Sequence, residues 1–382
     1  MIIEPLGLYV HVPFCSAICN YCNFNRGLFD ADLKSRYVDA LVAEIRSQSA
    51  LRTPHSAMTA DTIYFGGGTP SLLEPEEIAR VIRSCDDAFD VSPDREVTLE
   101  ANPESVTAPR LRAYRDAGVN RLSVGVQSFR EEDLRRLSRL HSVERAKAAV
   151  GEARAAGFDN VSLDLMMWLP EQRVCDWLES VDAAIAVAPE HLSLYLLEIY
   201  PNAPLKDDMA RARWSQAPDE DAAAMYLDAM ARLDEAGYEQ YEISNVSRPG
   251  RRSRHNLKYW TDGEWLGFGC GAHSTRAGVR WKNISSTVEY IETVSRGVAP
   301  AVDVRCLTPG ERLGDALFTG LRLADGIETK DIQSRYGVDV WRRFGGDLER
   351  FVEAGLLRRH GSRLCLTRQG MLLAHEVMTG FV

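Results

Sequence analysis

Short apolar runs rich in β-branched residues alternate with longer segments of helical periodicity through the first half of the chain. Such short runs between turn signals are typical of buried strands. The pattern predicts six strands, at Leu8–Val12, Thr62–Phe65, Glu96–Leu99, Arg121–Val126, Asn160–Leu165 and His191–Leu197. It predicts helices between them, at Leu33–Ser49, Pro75–Phe89, Ala108–Ala117, Glu131–Leu137, Val143–Ala156 and Cys175–Val187. Repeated strand–helix units predict an α/β fold with a parallel sheet, which six units would curve into an open, partial (β/α)6 barrel.

The pattern changes beyond about residue 216. A helix over Asp219–Ala236 is followed by a strand-like segment, Tyr238–Ser244, and later by the apolar, glycine-rich Trp265–Ala272. The last part predicts small helices that end in a hairpin, with strands at Leu356–Arg359 and Leu364–Thr367. We therefore predict three domains: a barrel over residues 1–215, an α+β extension over 216–305 and a C-terminal winged-helix-like domain over 306–382.

The composition is that of a globular protein, since 45% of the 382 residues are hydrophobic and 26% are charged. The formal net charge of -10 argues against nucleic acid and anionic membranes as non-specific partners, because both attract basic faces. The first residues lack the features of a signal peptide, and no apolar run reaches the ~18 residues expected of a membrane-spanning helix. We therefore expect a cytoplasmic protein with no nucleic-acid partner and at most peripheral membrane contact.

Polar and glycine-rich segments follow the predicted strands at the points where those strands end. Cys15–Cys22 follows the first strand, Gly66–Pro70 the second and Glu100–Pro103 the third, while Gln127 follows the fourth and Asp164 closes the fifth. The carboxyl ends of parallel strands meet at one rim of a sheet, and ligands bind at that rim in this class of fold. The sequence therefore predicts a single site at the rim.

Three of the eight cysteines lie together, in Cys15-Ser-Ala-Ile-Cys19-Asn-Tyr-Cys22. The other five are scattered singly and are predicted to be small buried side chains. Thiolates bind iron–sulfur clusters and zinc. Three cysteines would leave one iron of a [4Fe–4S] cluster open to the amino and carboxylate groups of S-adenosylmethionine (SAM). The alternative is a structural zinc site, but such sites commonly use a second pair of ligands further along the chain, and no second pair is evident in the sequence.

Tyr64-Phe65-Gly66-Gly67-Gly68-Thr69-Pro70 runs from a predicted strand into three glycines, whose missing side chains permit close approach to a ligand. Together with the three-cysteine loop, this segment resembles the radical SAM superfamily. The resemblance narrows to the group that contains HemN, the oxygen-independent coproporphyrinogen oxidase, and HemW, and it covers nearly the whole chain. The segments that carry it are Tyr9–Cys15, Gly66–Leu72, Glu100–Pro103, Arg121–Phe129 and Ser162–Asp164.

The resemblance implies which residues contact the cofactors. Cys15, Cys19 and Cys22 would bind the cluster. The residues that would line the SAM pocket are Tyr9, Tyr21, Gly67, Gly68, Thr69, Glu100, Gln127, Arg139 and Asp164. The carboxylates can accept hydrogen bonds from SAM, and Arg139 can pair with its carboxylate. Without the resemblance, Arg139 would instead be a solvated charge on the face of a helix.

Three functions are open to a chain of this group: decarboxylation of coproporphyrinogen III, delivery of haem to acceptor proteins, and radical methyl transfer. HemN-type oxidases resemble one another in a further cysteine two positions after the third cluster cysteine, where this chain has Phe24. The segment 254–260, Arg-His-Asn-Leu-Lys-Tyr-Trp, resembles the His-Asn-x-x-Tyr-Trp motif of HemW proteins, and Gly267–His273 also resembles HemW. The resemblance therefore favours a haem chaperone.

In such a chaperone, His255 would bind the haem iron, and Tyr259 and Trp260 would stack on the macrocycle. The alternative is that these residues form an ordinary packed strand edge. The partners that the resemblance implies are haem, a haem-acceptor protein such as a respiratory cytochrome, and an electron donor for the cluster.

This chain departs from the group at three positions. Trp168 replaces the usual glycine after the fifth strand, Ala203 stands where threonine is common, and Asn23 replaces a more usual aspartate. The changes leave the cluster ligands intact, but they bear on the orientation of SAM and on the substrate side of the site.

Overall fold

The computed structural model describes residues 4–48, 58–201 and 203–381. The strands are β1 Leu6–Val12, β2 Phe14–Cys15, β3 Gly27–Leu28, β4 Thr59–Gly67, β5 Asp90–Ala101, β6 Arg121–Gln127, β7 Val161–Met167, β8 His191–Leu196, β9 Glu239–Glu242, β10 Asn245–Ser247, β11 Trp265–Phe268, β12 His273–Arg276, β13 Val279–Asn283, β14 Ala301–Cys306, β15 Ile327–Glu328, β16 Leu357–His360 and β17 Arg363–Leu366.

The helices are α1 Ala31–Ser47, α2 Pro75–Ala88, α3 Ala108–Asp116, α4 Glu131–Arg136, α5 Val143–Ala155, α6 Val174–Ala186, α7 Pro204–Ala212, α8 Asp219–Glu235, α9 Arg254–Trp260, α10 Thr287–Ser295, α11 Pro309–Gly320, α12 Thr329–Tyr336, α13 Val340–Glu353, α14 Arg368–Leu372 and α15 Ala374–Met378. The predicted end of the first helix at Ser49 lies outside the described residues.

The six predicted strands form the parallel centre of one sheet, in the order β1-β4-β5-β6-β7-β8. Alternate residues of a strand point to opposite faces. Leu8 and Phe65 belong to the main hydrophobic core, whereas Tyr9 and Tyr64 are paired in register on the opposite face. We call that second face the inner face. The prediction of an α/β fold built on a partial barrel is confirmed.

The segment predicted as an α+β extension adds strands to both edges of this sheet. β11 pairs in parallel with β1, and β12, β13 and β14 follow as an antiparallel meander. At the opposite edge, β10 pairs antiparallel with β8, and β9 pairs with β10. The extension therefore shares one twelve-stranded sheet with the barrel, and residue 215 stays a predicted boundary along the chain.

Helix α9 lies against the inner face near the amino ends of the strands. The Glu96 carboxylate accepts hydrogen bonds from the backbone N–H groups of Arg254 and His255, each at 3.1 Å, at the first turn of the helix. Lys258 Nζ donates to Pro5 O, just before β1, at 2.7 Å. A carboxylate at a helix N-terminus satisfies N–H groups that have no partner within the helix. The His-Asn-x-x-Tyr-Trp segment therefore forms a short helix anchored inside the barrel. It is not the strand edge that the sequence left open as an alternative.

The C-terminal segment has the element order of a winged helix. Helices α11, α12 and α13 are followed by the hairpin β16–β17, and β15 completes a three-stranded sheet. The predicted hairpin is thus present. The buried Glu242 joins this module to the extension through an ion pair with Arg322, at 3.2 Å. In the ranges that the structure describes, no helix is long and apolar enough to span a bilayer.

A buried carboxylate ties the extension to the first helix of the barrel. Glu44 of α1 accepts hydrogen bonds from Gly269 N at 2.8 Å, Asn283 Nδ2 at 2.6 Å and Tyr290 OH at 2.5 Å. Burial raises the pKa of Glu44 to about 7, although these donors act in the opposite direction. One side chain thus satisfies three buried donors from three parts of the extension.

We predict that Glu44→Ala lowers the free energy of unfolding by about 3 kcal/mol, because three buried donors lose their acceptor. Glu44→Gln keeps one acceptor oxygen and is expected to lose less. Denaturant unfolding followed by tryptophan fluorescence measures both. Asp39→Ala removes an exposed carboxylate from the same helix and serves as the control. An equal loss in the control would contradict the assignment of the stabilisation to the buried hydrogen bonds.

Candidate cluster and cofactor site

Cys15 ends β2, and Cys19 and Cys22 lie on the loop between β2 and β3, which follows the carboxyl end of β1. Cys15 is buried, and Cys19 and Cys22 are partly exposed. Thr69 Oγ1 donates to Cys15 Sγ at 3.7 Å, and Arg139 Nη1 donates to Cys19 Sγ at 3.5 Å. Thr69, just after β4, and Arg139, beyond α4, therefore point hydrogen-bond donors at the sulfurs.

A second arginine lies on the other side of the loop. Arg26 donates to the carbonyls of Cys22 and Phe24. Burial raises the pKa of Cys15 and Cys22, and the charge of Arg26 acts against that rise. A nearby cation stabilises the thiolate, which is the form that binds metal. Arg26 therefore offsets part of the effect of burial on these two thiols.

A cluster and a single metal ion place different demands on the positions of their ligands. Among the described residues, no three His, Cys, Asp or Glu side chains converge closely enough to hold one metal ion. Each cysteine of a [4Fe–4S] cluster binds a different iron, so three cysteine ligands of one cluster need no such convergence. Zinc requires its ligands within about 2.0–2.3 Å of one centre. The described arrangement is thus compatible with a three-cysteine cluster.

The end of β4 passes directly behind Cys15. Gly68 N donates to Val12 O and Thr69 N donates to Phe14 O, both at 2.7 Å. A Cβ at Gly68 would lie 2.7 Å from Phe14 O and 3.0 Å from Cys15 Sγ. Only glycine fits this approach without displacement of the loop.

Gly67 is constrained in a second way. Its φ of +116° lies in a region that L side chains rarely adopt, and a Cβ there would lie 2.5 Å from the His11 ring. Its N–H donates to Glu100 Oε2 at 3.1 Å. The predicted SAM residues Gly67, Gly68 and Thr69 thus form one backbone segment between the cysteine loop and a carboxylate.

Two carboxylates lie at neighbouring points of the inner face. Glu100 also accepts a hydrogen bond from Tyr64 OH at 2.7 Å, and Asp164 accepts one from Ser123 Oγ at 3.3 Å. Their enclosed position raises the pKa of Glu100 to about 7 and that of Asp164 to about 6. The positive charge of Arg121 opposes both rises. The two groups are therefore available as acceptors for a polar ligand held between them.

Arg139 lies beyond the end of α4, and its guanidinium points into the site. Nη2 donates to Asn102 Oδ1 and to Gly125 O, both at 2.7 Å, while Nη1 reaches Cys19 Sγ. Its Nε is buried without a hydrogen-bond partner among the described residues. A solvated helix-face charge would not have these contacts. Arg139 is instead a fixed cation beside the cysteines.

Gln127 ends β6 with an unusual backbone conformation. Its φ is 68°, which is uncommon for a residue other than glycine and is often found at functional sites. A Cβ at Gly125 would lie 3.0 Å from Gln127 Nε2. The turn directs the amide back over β6, toward Arg139 and Asn102.

An apolar wall completes the rim on the side of β7 and β8. Tyr21 packs against a separate hydrophobic cluster whose buried members are Leu137, Met166, Leu169, Leu197 and Leu205. Trp168 was expected to place a large ring beside SAM. Its indole Nε1 donates to Ala217 O at 2.8 Å, so the ring is tied toward the loop before α8. Ala203 is buried at the start of α7.

The residues of the predicted haem motif lie elsewhere in the barrel. His255 is 1% exposed, and its ring nitrogens are hydrogen-bonded to Thr62 Oγ1 at 2.8 Å and to Tyr259 OH at 2.9 Å. Burial lowers the pKa of His255 to about 3, with smaller effects from the charges of Lys258 and Arg121. The imidazole is therefore neutral, and neither nitrogen is free for a metal ion.

The aromatic residues of the motif are also engaged. Tyr259 packs edge-on against Trp265, with ring centroids 4.7 Å apart, and Arg322 lies 4.4 Å from the centroid of the Trp260 ring. The cavity beside Tyr259 and Trp265 has a volume of about 110 Å³, whereas pockets for drug-sized ligands have about 300–1,000 Å³. His273, the second histidine of the HemW-like segments, is exposed on β12. The structure thus brings the predicted SAM residues together at one end of the inner face and the predicted haem motif at the other, and the Tyr9 and His255 rings meet between them, with centroids 6.4 Å apart.

Sequence reasoning missed three residues that complete the site. Asn102 Nδ2 donates to Thr69 Oγ1 at 3.1 Å, while its oxygen holds Arg139. Asn102 lies within the quoted segment Glu100–Pro103, so its position after a strand was a usable signal. Ser123 and Arg26 carried no such signal, because their roles depend on contacts between distant segments.

Comparison with known proteins agrees with this geometry. Residues 9–184 match the family described as the Radical SAM superfamily, and residues 307–373 match the HemN C-terminal domain. The structure of coproporphyrinogen III oxidase (HemN) from Escherichia coli superposes with a TM-score of 0.86 over 99% of this chain and 90% of that chain, at 23% identity. The fold and the rim site therefore define a radical SAM protein of the HemN-like type.

Curated relatives narrow the class further. The haem chaperone HemW of Bacillus subtilis is 35% identical over 98% of both chains. The haem chaperone HemW of Mycobacterium tuberculosis is 38% identical over 98% of this chain and 94% of its own length. The chain belongs to the HemW family.

We predict that Gly68→Ala lowers the iron content of the reconstituted protein by roughly half or more, because the added methyl group displaces Cys15 from its position. Iron and sulfide analysis after anaerobic reconstitution measures this loss. Gly27→Ala is the matched control, since Gly27 lies at the end of the same loop and an added Cβ meets no atom within 4 Å. Equal iron in the Gly68→Ala protein and the control would show that the close approach is not required.

Proposed function

We propose that this protein is a haem chaperone that holds a [4Fe–4S] cluster on Cys15, Cys19 and Cys22, binds SAM beside it, and passes haem to acceptor proteins. The observation that carries the proposal is the position of three thiols beside the glycine end of β4 and the fixed cation Arg139. The similarity of nearly the whole chain to proteins named haem chaperones also supports the proposal.

The residues at the rim have separate proposed roles toward SAM. A reduced [4Fe–4S] cluster supplies, when bound, the electron that can cleave the sulfonium of SAM. Three cysteines leave one iron to the amino and carboxylate groups of SAM, and Arg139 pairs with that carboxylate. Glu100 and Asp164 accept hydrogen bonds from its hydroxyl or amino groups. The other proposed contacts are Tyr9, Tyr21, Gly67, Gly68, Thr69 and Gln127.

One substitution supports a chaperone over an oxidase. Phe24 stands where HemN-type oxidases resemble one another in having a cysteine, and it is 63% exposed on the cysteine loop. The likeness to the HemN structure, at 23% identity, concerns the fold alone. We therefore favour haem delivery over porphyrinogen decarboxylation, with a respiratory haem protein as the acceptor and a separate electron donor for the cluster.

His255, Tyr259 and Trp260 remain the proposed haem contacts on the strength of the motif. Contact between His255 and haem iron requires that one of its two hydrogen bonds, to Thr62 or to Tyr259, is broken. The proposal therefore includes a local movement of α9 when haem binds at this motif.

We predict that the anaerobically reconstituted protein carries one [4Fe–4S] cluster and that Cys19→Ala abolishes its visible absorption. The reason is that a lost thiolate opens a second iron to solvent and to oxidation. Cys175→Ala is the matched control and is expected to keep the cluster. Cys175 lies on α6 and, like Cys306, is exposed, so the prediction that the scattered cysteines are buried is wrong for these two. A full complement of iron in Cys19→Ala would rule out the assignment.

We predict that the reconstituted protein binds haem and that His255→Ala weakens this binding by about tenfold or more, since an axial ligand is lost. Titration followed by Soret absorbance measures it, and His273→Ala tests the second histidine. If the wild type binds no haem and instead converts coproporphyrinogen III with consumption of SAM, the protein is an oxidase. Methyl transfer with S-adenosylhomocysteine as product would indicate a methyltransferase.

A further inference from the structure

We infer that α9, the helix with the His-Asn-x-x-Tyr-Trp motif, forms the floor of the SAM pocket, and that His255 is a positioning residue for Tyr64 and, through it, for Glu100. The inference rests on the proposed function only in that it takes Glu100 to contact SAM. It assigns the motif a role at the cofactor site that does not depend on haem.

The first step is the fixed position of His255. The helix is held on β5 by Glu96, which accepts hydrogen bonds from two backbone N–H groups at its first turn. The imidazole is held from both sides, by Thr62 of β4 and by Tyr259 one turn further along α9. A Cβ at Gly7 of β1 would lie 3.1 Å from the ring. The ring is thus confined by two strands, β1 and β4, and by its own helix, which β5 holds in place.

The second step is the contact between two rings. The His255 imidazole stacks on the Tyr64 ring, with centroids 5.0 Å apart and planes inclined by 26°. Tyr9 stacks on Tyr64 from the neighbouring strand, with centroids 6.2 Å apart and planes inclined by 24°. Tyr9 and His255 are themselves 6.4 Å apart, so the three rings form one cluster. Removal of the histidine ring would take away the nearer of these two ring contacts of Tyr64.

The third step connects Tyr64 to the cofactor residues. Its hydroxyl donates to Glu100 Oε1 at 2.7 Å, and Glu100 Oε2 accepts from Gly67 N at 3.1 Å. A Cβ at Gly66 would lie 2.9 Å from the Tyr9 ring and 3.2 Å from Glu100 Oε1. The same cluster of rings thus orients a carboxylate and lies under the glycine end of β4. A shift of Tyr64 changes both.

The test compares His255→Gln with His191→Gln in the reconstituted holoprotein. Glutamine keeps a polar side chain of similar length but lacks the ring. His191 is a matched control, because it is also fully buried on the inner face and both its nitrogens are hydrogen-bonded, to Ser162 and Tyr241. SAM affinity is read from the change that SAM causes in the EPR signal of the reduced cluster.

We expect His255→Gln to bind SAM about tenfold more weakly, because small displacements of positioning groups have effects of this order, and His191→Gln to stay within about twofold of the wild type. Tyr64→Phe removes the hydroxyl that donates a hydrogen bond to Glu100. If His255 acts through Tyr64, the double variant His255→Gln/Tyr64→Phe binds SAM no more weakly than the worse single variant. Losses that multiply in the double variant would overturn the inference.

Further readouts separate this inference from haem binding. Unchanged SAM affinity in His255→Gln, or an equal loss in His191→Gln, overturns the positioning role, whatever happens to haem. A wild type without a Soret response refutes the haem proposal only. The SAM titration then still decides whether His255 has the positioning role. If His255→Gln does not fold, Tyr259→Phe removes only the hydroxyl that holds the imidazole, and a loss of SAM affinity in that variant supports the inference while no loss overturns it.

Discussion

The close approach of β4 to the cysteine loop is the constraint on which the rest of the site depends. Two backbone hydrogen bonds of 2.7 Å, from Gly68 N and Thr69 N, fix the strand end directly behind Cys15. Because parallel strands end at a common rim, fixing β4 against β2 also decides where the neighbouring strands present Glu100 and Asp164 to the thiols. A single side chain at position 68 would separate the loop from the sheet. The glycines therefore permit the close approach of β4 to the loop, and the neighbouring strands supply the polar side chains of the site.

The inner face is polar, and burying its polar groups costs free energy, which hydrogen bonds within the protein offset. Buried polar groups are stable only when they are paired. The His255 ring is hydrogen-bonded to Thr62, and its backbone N–H donates to Glu96. The His191 ring is hydrogen-bonded to Ser162 and Tyr241. Arg121 is 1% exposed, and its charge lowers the pKa of Glu100 and Asp164 against the effect of burial. Much of the polarity of the inner face is therefore balanced by partners within the protein.

The sequence was sufficient for the parts of the molecule that local patterns determine. The apolar runs identified the six parallel strands, and the cysteine spacing identified the loop that the structure places at their rim. Helix α9 was not predicted, because it is short and its first turn is completed by Glu96, which lies far away in the sequence. The surroundings of Arg139 were equally invisible, since Asn102, Gly125 and Cys19 come from three different strand ends. The pairing of β11 with β1 and of β10 with β8 is likewise a product of tertiary contacts.

The two roles proposed for the His-Asn-x-x-Tyr-Trp motif, contact with haem and positioning of Tyr64, both depend on His255. If haem iron is to reach a nitrogen of His255, a hydrogen bond to Thr62 or Tyr259 has to break, and the ring that supports Tyr64 is then free to move. If haem binds at the motif and SAM at the rim as proposed, such a movement would couple the two sites, and each ligand would change the affinity for the other by the same factor. A chaperone that releases haem on demand benefits from such coupling, since an event at the rim could then alter how tightly haem is held. The ring contacts of Tyr9, Tyr64 and His255 connect the two ends.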